Sequence, residues 1–128
     1  MNRSELNRLH TKVFEAASEV YSVLGPGLDE QIYRSCFLQE LRLQGLFFKR
    51  DSVFPVFYKD IKTSNELKIG ILIENQLVVE IVSDQEIGML SINGLQSKLK
   101  ISGKRIGAVI SFNCQSIIDG YRKVMINP

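Results

Sequence analysis

The spacing of the apolar residues changes once along this chain, near Gly45, and this change is the strongest constraint on its fold. Before Gly45 they recur every three or four residues, the period of one helix face; the first such set is Leu6, Leu9, Val13, Ala16, Val20 and Val23. After Gly45 they mostly form short runs rich in β-branched and aromatic side chains, which are typical of strands. The order predicts a single domain over residues 1–128 with an α/β fold, or α+β under a stricter definition, in which helices flank a mixed sheet.

Two helices are predicted before the change of spacing. Ser4 is the expected N-cap of the first, and Gly25-Pro26 should end it because proline cannot continue a helix. The second is expected to run from Asp29 to Gly45, since Asp29 can cap free amides and glycine tolerates the left-handed conformation after a helix end. Its inward residues are predicted to be Ile32, Cys36, Phe37 and Leu41.

The predicted sheet begins with a strand over residues 47–58, in which Pro55 indicates an edge strand or a bulge. Residues 67–73 and 77–82 are two apolar runs separated by a short polar linker, which predicts an antiparallel hairpin. A third helix is expected from about Gln85 to Lys100, weakened by two glycines and ended by Gly103. A buried strand over 106–112 and a more polar strand within 116–126 complete the prediction.

Composition gives ordinary globular values, with 45% hydrophobic and 23% charged residues. The net charge of +2 gives no support to a dedicated nucleic-acid binder, which is usually far more basic. The sequence contains no apolar secretory segment and no apolar run of the ~18–20 residues that cross a bilayer. Cys36 and Cys114 are expected to be reduced, packed thiols, so the predicted location is the cytoplasm of a bacterium, with no membrane contact.

The most distinctive segment is Gly25-Pro26-Gly27-Leu28-Asp29-Glu30-Gln31-Ile32-Tyr33, which contains the spacing G-x-x-E-x-x-Y. Glu30 falls in the first turn of a helix, where the helix dipole favours a carboxylate. Tyr33 follows three residues later and therefore lies on the same helix face. From spacing alone, the favoured interpretation is a helix start that carries a favourable acid and a packed tyrosine, and a functional motif is the alternative.

Together with two further phrases, this segment resembles the GxxExxY proteins, a branch of the PD-(D/E)xK nuclease-like superfamily. The phrases are Leu-Arg-Leu-Gln-Gly-Leu at 41–46 and Pro-Val-Phe-Tyr-Lys at 55–59. The resemblance implies a restriction-endonuclease-like core. It also implies a site in which a helix glutamate, a strand aspartate and the acid of an E-x-K strand hold Mg²⁺ through oxygen ligands. The lysine of that strand would stabilise charge on a phosphate, and a glutamine on the next helix would support the site.

Only part of that site is present in this chain. The resemblance assigns the helix glutamate to Glu30 and the E-x-K acid to Glu80, and Lys68 keeps a cation two residues before the aspartate position. The remaining family positions hold residues without the required groups: Gly70 for the aspartate, Val82 for the lysine and Gly94 for the glutamine. Glu30 and Glu80 are expected to converge, with Gly70 opening onto the same pocket, and to bind a divalent ion weakly if at all.

The sequence therefore favours a catalytically degenerate nuclease fold that acts as a binding or assembly module and needs no cofactor. Its partner is open between another protein, a second copy and a nucleic acid. The alternative is a Mg²⁺-dependent nuclease with relocated residues, in which Gln96 supplies the amide and Lys68 or Lys98 replaces the lysine.

Three other features of the sequence are weaker indications of function. His10, the only histidine, is expected at an exposed position of the first helix, and Cys114 is expected to be structural. A small basic cluster near Gly103 either touches phosphates or is a solvated helix end; its members are Lys98, Lys100, Lys104 and Arg105.

Overall fold

The structure, a computed structural model that describes residues 1–126, confirms the α/β fold. Two helices precede three strands, and a third helix precedes two more strands. The elements are α1 (Arg3–Leu24), α2 (Glu30–Leu43), β1 (Phe48–Tyr58), β2 (Ile61–Ile73), β3 (Leu77–Val82), α3 (Met89–Ser102), β4 (Ile106–Ser111) and β5 (Tyr121–Met125). Within residues 1–126, none of the three helices is long and apolar enough to span a membrane.

The five strands form one mixed sheet in the order β1-β2-β3-β4-β5. The predicted hairpin is confirmed, because β2 and β3 are antiparallel with Ile73 opposite Leu77. β3 and β4 are the one parallel pair, so α3 serves as the crossover that a parallel connection requires. The register of β1 shifts between Pro55 and Phe57, which confirms the expected irregularity at Pro55.

The sheet separates two apolar cores, and β3 contributes to both. Leu77, Val79 and Ile81 belong to the larger core, which includes the buried faces of α1 and α2. Val78 belongs to the smaller core beside α3, and Val82 packs against it. Because side chains alternate along a strand, Glu80 points to the same side as Val82, towards α3.

β2 changes its inward face at Gly70. Ile71 belongs to the larger core, whereas Ile69, two residues away, belongs to the smaller one. A regular strand would place both on the same side. The pairing between β2 and β3 covers only 71–73, so the rest of the β1–β2 hairpin extends past β3. Gly70 thus lies where this hairpin leaves the central sheet.

Several local predictions were wrong. The N-cap of α1 is Asn2 rather than Ser4, and its side chain accepts a hydrogen bond of 2.8 Å from the backbone N–H of Glu5. Val23 is 70% exposed, since it lies near the helix end beyond the covered face. Ile32 is 44% exposed because the inward face of α2 is formed by Tyr33, Phe37 and its neighbours. The third helix begins at Met89, four residues later than expected.

The prediction that His10 is exposed was also wrong. His10 is 3% exposed and belongs to the buried face of α1. Its Nδ1 lies 3.0 Å from the hydroxyl oxygen of Tyr121 on β5, so the buried ring has a polar partner. Burial lowers the pKa of His10 to about 4, with a smaller contribution from the charge of Lys123. The single histidine is therefore part of the fold's interior.

Both cysteines are free thiols. Cys114 is buried after β4, and its Sγ lies 3.8 Å from the backbone oxygen of Asp84. Cys36 is half-buried on α2 and packs against the larger core. Their positions agree with the expected packed thiols.

Candidate functional site

Tyr33 fixes the turn that precedes α2. The ring is 2% exposed and stacks on Phe112, with centroids 4.7 Å apart. Its hydroxyl donates a hydrogen bond of 2.5 Å to the backbone oxygen of Gly25 and accepts one of 3.0 Å from the N–H of Leu28. These two bonds satisfy backbone groups at both ends of the turn, so Tyr33 holds the start of α2 in place.

Gly27 ties the same turn to the loop after β4. Its φ of 100° is a conformation that other residues rarely adopt. Its N–H donates a hydrogen bond of 2.9 Å to Oδ1 of Asn113, whose amide nitrogen donates one of 3.0 Å to the backbone oxygen of Ser83. The turn before α2, the loop after β4 and the end of β3 are therefore linked, and this linkage places Glu30 beside β3.

Glu30 is the first residue of α2 and has two side-chain contacts. Ser83, the residue after β3, donates a hydrogen bond of 3.3 Å from its hydroxyl to Oε1 of Glu30. Oε2 of Glu30 lies 4.0 Å from Nη2 of Arg34, one helical turn away. The carboxylate thus lies between the end of β3 and the cation of Arg34.

Glu80 contacts a different cation. Its carboxylate accepts a hydrogen bond from the ammonium group of Lys98 on α3, and both side chains are half-buried. Val82 faces the same side and packs against the smaller core. Of the two lysines that sequence reasoning considered as replacements for the family lysine, Lys98 is the one that reaches Glu80.

A guanidinium group occupies the space beside Gly70. A Cβ atom added at Gly70 would lie 3.2 Å from Nη1 of Arg34 and 3.7 Å from Nη2. The resemblance expects an aspartate carboxylate at this position. In this chain the position has no side chain, and a cation lies where that carboxylate would be.

Gly70 and Lys68 line one pocket of 440 Å³, together with Gln31, Arg34, Arg50 and Asp51. Neither Glu30 nor Glu80 lines it, and Glu30 reaches it only through Arg34. The pocket lies between α2 and the β1–β2 hairpin. Its charged side chains are three cations and one carboxylate, which is the opposite of what a divalent metal site needs.

The helix α3 does not supply the supporting amide at the expected position. Gly94 lies one turn before Lys98, and a Cβ added there would meet no atom within 4 Å. Gln96 is two residues from Lys98, and side chains with this spacing face different sides of a helix. With Lys98 turned to Glu80, Gln96 does not face the same group.

The donor groups present do not fit the Mg²⁺ ion that the resemblance implies. Within residues 1–126, no three Asp, Glu, His or Cys side chains are grouped to hold a metal ion. Glu30 and Glu80 each face a protein cation. At the positions where the resemblance expects the third acid and the lysine, this chain has Gly70 and Val82.

Sequence reasoning missed Arg34 and Ser83. Arg34 follows Glu30 at a four-residue spacing, which is the signal of an ion pair on one helix face. Ser83 carries no comparable signal, because its proximity to Glu30 depends on how the end of β3 meets α2.

The basic side chains near Gly103 do not point towards one common site. Lys98 contacts Glu80, while Nζ of Lys104 donates a hydrogen bond of 3.3 Å to Oδ1 of Asn75 in the β2–β3 turn. Lys100 and Arg105 are exposed. This arrangement favours the interpretation as a solvated helix end.

Comparison with known proteins agrees with the fold. Searches of curated proteins and of solved structures found no significant match. A scan against protein families matched residues 7–124 to the PD-(D/E)XK nuclease superfamily. The match covers nearly the whole chain, and a mixed sheet with a β3–α3–β4 crossover and flanking helices is consistent with that fold. This chain therefore belongs to the PD-(D/E)XK nuclease superfamily.

Proposed function

We propose that this chain is a non-catalytic binding module of the nuclease superfamily, in its GxxExxY branch. The observation that carries the proposal is the guanidinium of Arg34 beside Gly70, 3.2 Å from the site of a Cβ atom. A metal-dependent nuclease needs an anionic ligand at this position. Here the ligand is missing and a positive charge stands in its place.

The lack of an acid at position 70 opposes binding of a divalent ion more strongly than the two ion pairs do. Pairs near the surface contribute only ~0–1 kcal/mol each, so Lys98 and Arg34 alone would not exclude a divalent ion from Glu80 and Glu30. Loss of a metal-ligand carboxylate lowers occupancy directly. Loss of a charge-stabilising donor at Val82 costs a further ~10²–10³ in rate. These losses act on the same transition state and therefore compound.

The alternative function is a divalent-metal-dependent nuclease with a relocated lysine. It is favoured by one observation, the contact between the Lys98 ammonium and Glu80. An ammonium group at the retained acid is what a lysine that has moved from β3 to α3 would provide. This alternative requires Glu30 and Glu80 to hold the metal with only two carboxylates.

The experiment combines metal titration with cleavage assays. Mg²⁺ and Mn²⁺ are titrated by calorimetry, and labelled single- and double-stranded DNA and RNA are tested for cleavage. We expect no metal-dependent cleavage above background. Cleavage that is lost in Glu80→Ala and Lys98→Ala, but kept in the matched control Lys100→Ala on the exposed side of the same helix, would establish the alternative.

We further propose that residues 1–128 act as one domain in a bacterial cytoplasm. Both apolar cores lie against the same sheet, which supports a single unit. The free thiols agree with a reducing compartment.

A further inference from the structure

The pocket between α2 and the β1–β2 hairpin contains more positive charge than the residues around it neutralise. Arg34, Arg50 and Lys68 face Asp51 as the only carboxylate in its lining. Within residues 1–126 there are two ion pairs, Glu30–Arg34 and Glu80–Lys98. Arg50 and Lys68 take part in neither. Like charges gathered in one concavity repel one another, and a bound anion relieves this repulsion.

Arg34 is available to such an anion. Its separation of 4.0 Å from Glu30 is longer than a hydrogen bond, so that pair leaves the guanidinium N–H groups open. The absence of a side chain at Gly70 gives the guanidinium its place beside β2.

We propose that this pocket binds a phosphomonoester group through the guanidinium groups of Arg34 and Arg50, with Lys68 as a further cation. The inference rests on the proposed non-catalytic function and names the ligand class of that module.

Three properties of the pocket favour phosphate over other anions. Guanidinium groups donate paired hydrogen bonds to phosphate oxygens, and two arginines can serve different edges of one tetrahedral group. A phosphomonoester carries roughly −1.5 to −2 charges near pH 7, so it is attracted by three lining cations that are opposed only by Asp51 and by Glu30, 4.0 Å from Arg34. The volume of 440 Å³ lies within the range of about 300–1,000 Å³ for small-molecule pockets.

The primary test is calorimetric titration of inorganic phosphate into the full chain, in chelator and without divalent metal. We expect saturable binding that weakens at least tenfold in Arg34→Gln and in Arg50→Gln. Arg105→Gln is the matched control, since it removes the same charge from an exposed position outside the pocket, and it should stay within twofold of wild type. Thermal unfolding of each variant checks that it is folded.

Two results would overturn the proposal. The first is the absence of saturable phosphate binding by the folded wild type. The second is equal weakening in Arg34→Gln, Arg50→Gln and Arg105→Gln, which would indicate general charge attraction rather than a pocket.

Further titrations distinguish the sources of the phosphomonoester. A nucleoside monophosphate and an oligonucleotide with a 5′-phosphate are compared with inorganic phosphate and with the same oligonucleotide ending in a 5′-hydroxyl. Arg34-dependent binding of the phosphorylated forms alone supports the proposal and identifies the larger ligand. Equal Arg34-dependent binding of the hydroxyl form would overturn it in favour of internal phosphodiesters.

The test is independent of the test of catalysis. Metal-dependent cleavage by a protein that also shows Arg34-dependent phosphate binding would refute the non-catalytic function and leave the pocket assigned. Failure of phosphate binding without any cleavage would refute the pocket alone.

Discussion

The guanidinium of Arg34 packs closely against Gly70: Nη1 lies 3.2 Å from where a Cβ atom would stand, so a side chain at position 70 would require the guanidinium to shift. This relationship changes what reversion of the site should achieve. An aspartate introduced at position 70 would meet a cation before it met a metal ion.

We therefore expect Gly70→Asp alone to gain less Mg²⁺ affinity than the same change made together with Arg34→Gln, because the new carboxylate pairs with Arg34. The double variant Gly70→Asp with Arg34→Gln should bind Mg²⁺ measurably by calorimetry, since the carboxylate is then free. Adding Val82→Lys to that double variant tests whether cleavage follows. Equal Mg²⁺ binding with and without Arg34 would contradict this account.

Tyr33→Phe should lower the free energy of unfolding by about 1–3 kcal/mol. The change removes the hydroxyl that serves Gly25 and Leu28 while keeping the ring on Phe112, so two half-buried hydrogen bonds worth about 0.5–1.5 kcal/mol each are lost. Chemical denaturation measures the difference. Tyr58→Phe, at a residue 68% exposed, is the control and should leave stability within about 0.5 kcal/mol of wild type.

The buried His10 should make stability depend on pH. Its pKa is about 4 in the folded protein and 6.5 in the unfolded chain, so the unfolded state binds the proton more readily. The neutral ring contributes its full share of the free energy of unfolding above pH 6.5, and this share is lost as the pH falls from there towards 4. The loss should reach roughly 3 kcal/mol at most.

The pKa itself can be measured without assignment, because this chain has one histidine. An NMR titration of the imidazole C–H signals should give a value well below 6.5. Denaturation of His10→Gln at pH 7 and pH 5 separates this effect from carboxylate titration, since the variant should lose part of the wild-type dependence. A histidine pKa near 6.5 in the folded protein would refute the explanation.

Gly94→Ala should stabilise the protein by about 0.5–1 kcal/mol. Glycine in a helix interior is less favourable than alanine by about this amount, and a Cβ at Gly94 meets no atom within 4 Å. Gly103→Ala, at the C-cap of the same helix, should destabilise the protein instead, because Gly103 has a left-handed φ of 74°. Thermal unfolding compares the two variants, and destabilisation by Gly94→Ala would show that the position is constrained in another way.

The fold was predicted well from the sequence where apolar residues recur at a regular spacing over a long stretch of the chain. The face of α1 and the β2–β3 hairpin are of this kind, since burial on one side selects a register. His10 was misjudged because a polar residue on a helix face is taken as exposed unless its partner is known. That partner, Tyr121, lies 111 residues away in the chain.

The candidate site was predictable as a set of substitutions but not as an arrangement. The resemblance assigned family positions to Glu30, Glu80 and Gly70, and these assignments stay predictions. It could not indicate that Arg34 would lie beside Gly70 or that Lys98 would reach Glu80. Both contacts depend on how α2 and α3 pack on the sheet, which local sequence does not encode.

Pro55 also limits how this protein can join a partner. β1 is an edge strand, and exposed apolar residues such as Val53 and Phe57 lie along it. A flat edge of this composition is a template for strand addition and for aggregation. Pro55 offers no N–H to a neighbouring strand, and the irregular register between Pro55 and Phe57 interrupts the row of backbone groups. Continuous backbone pairing with a further strand is therefore interrupted at the middle of this edge.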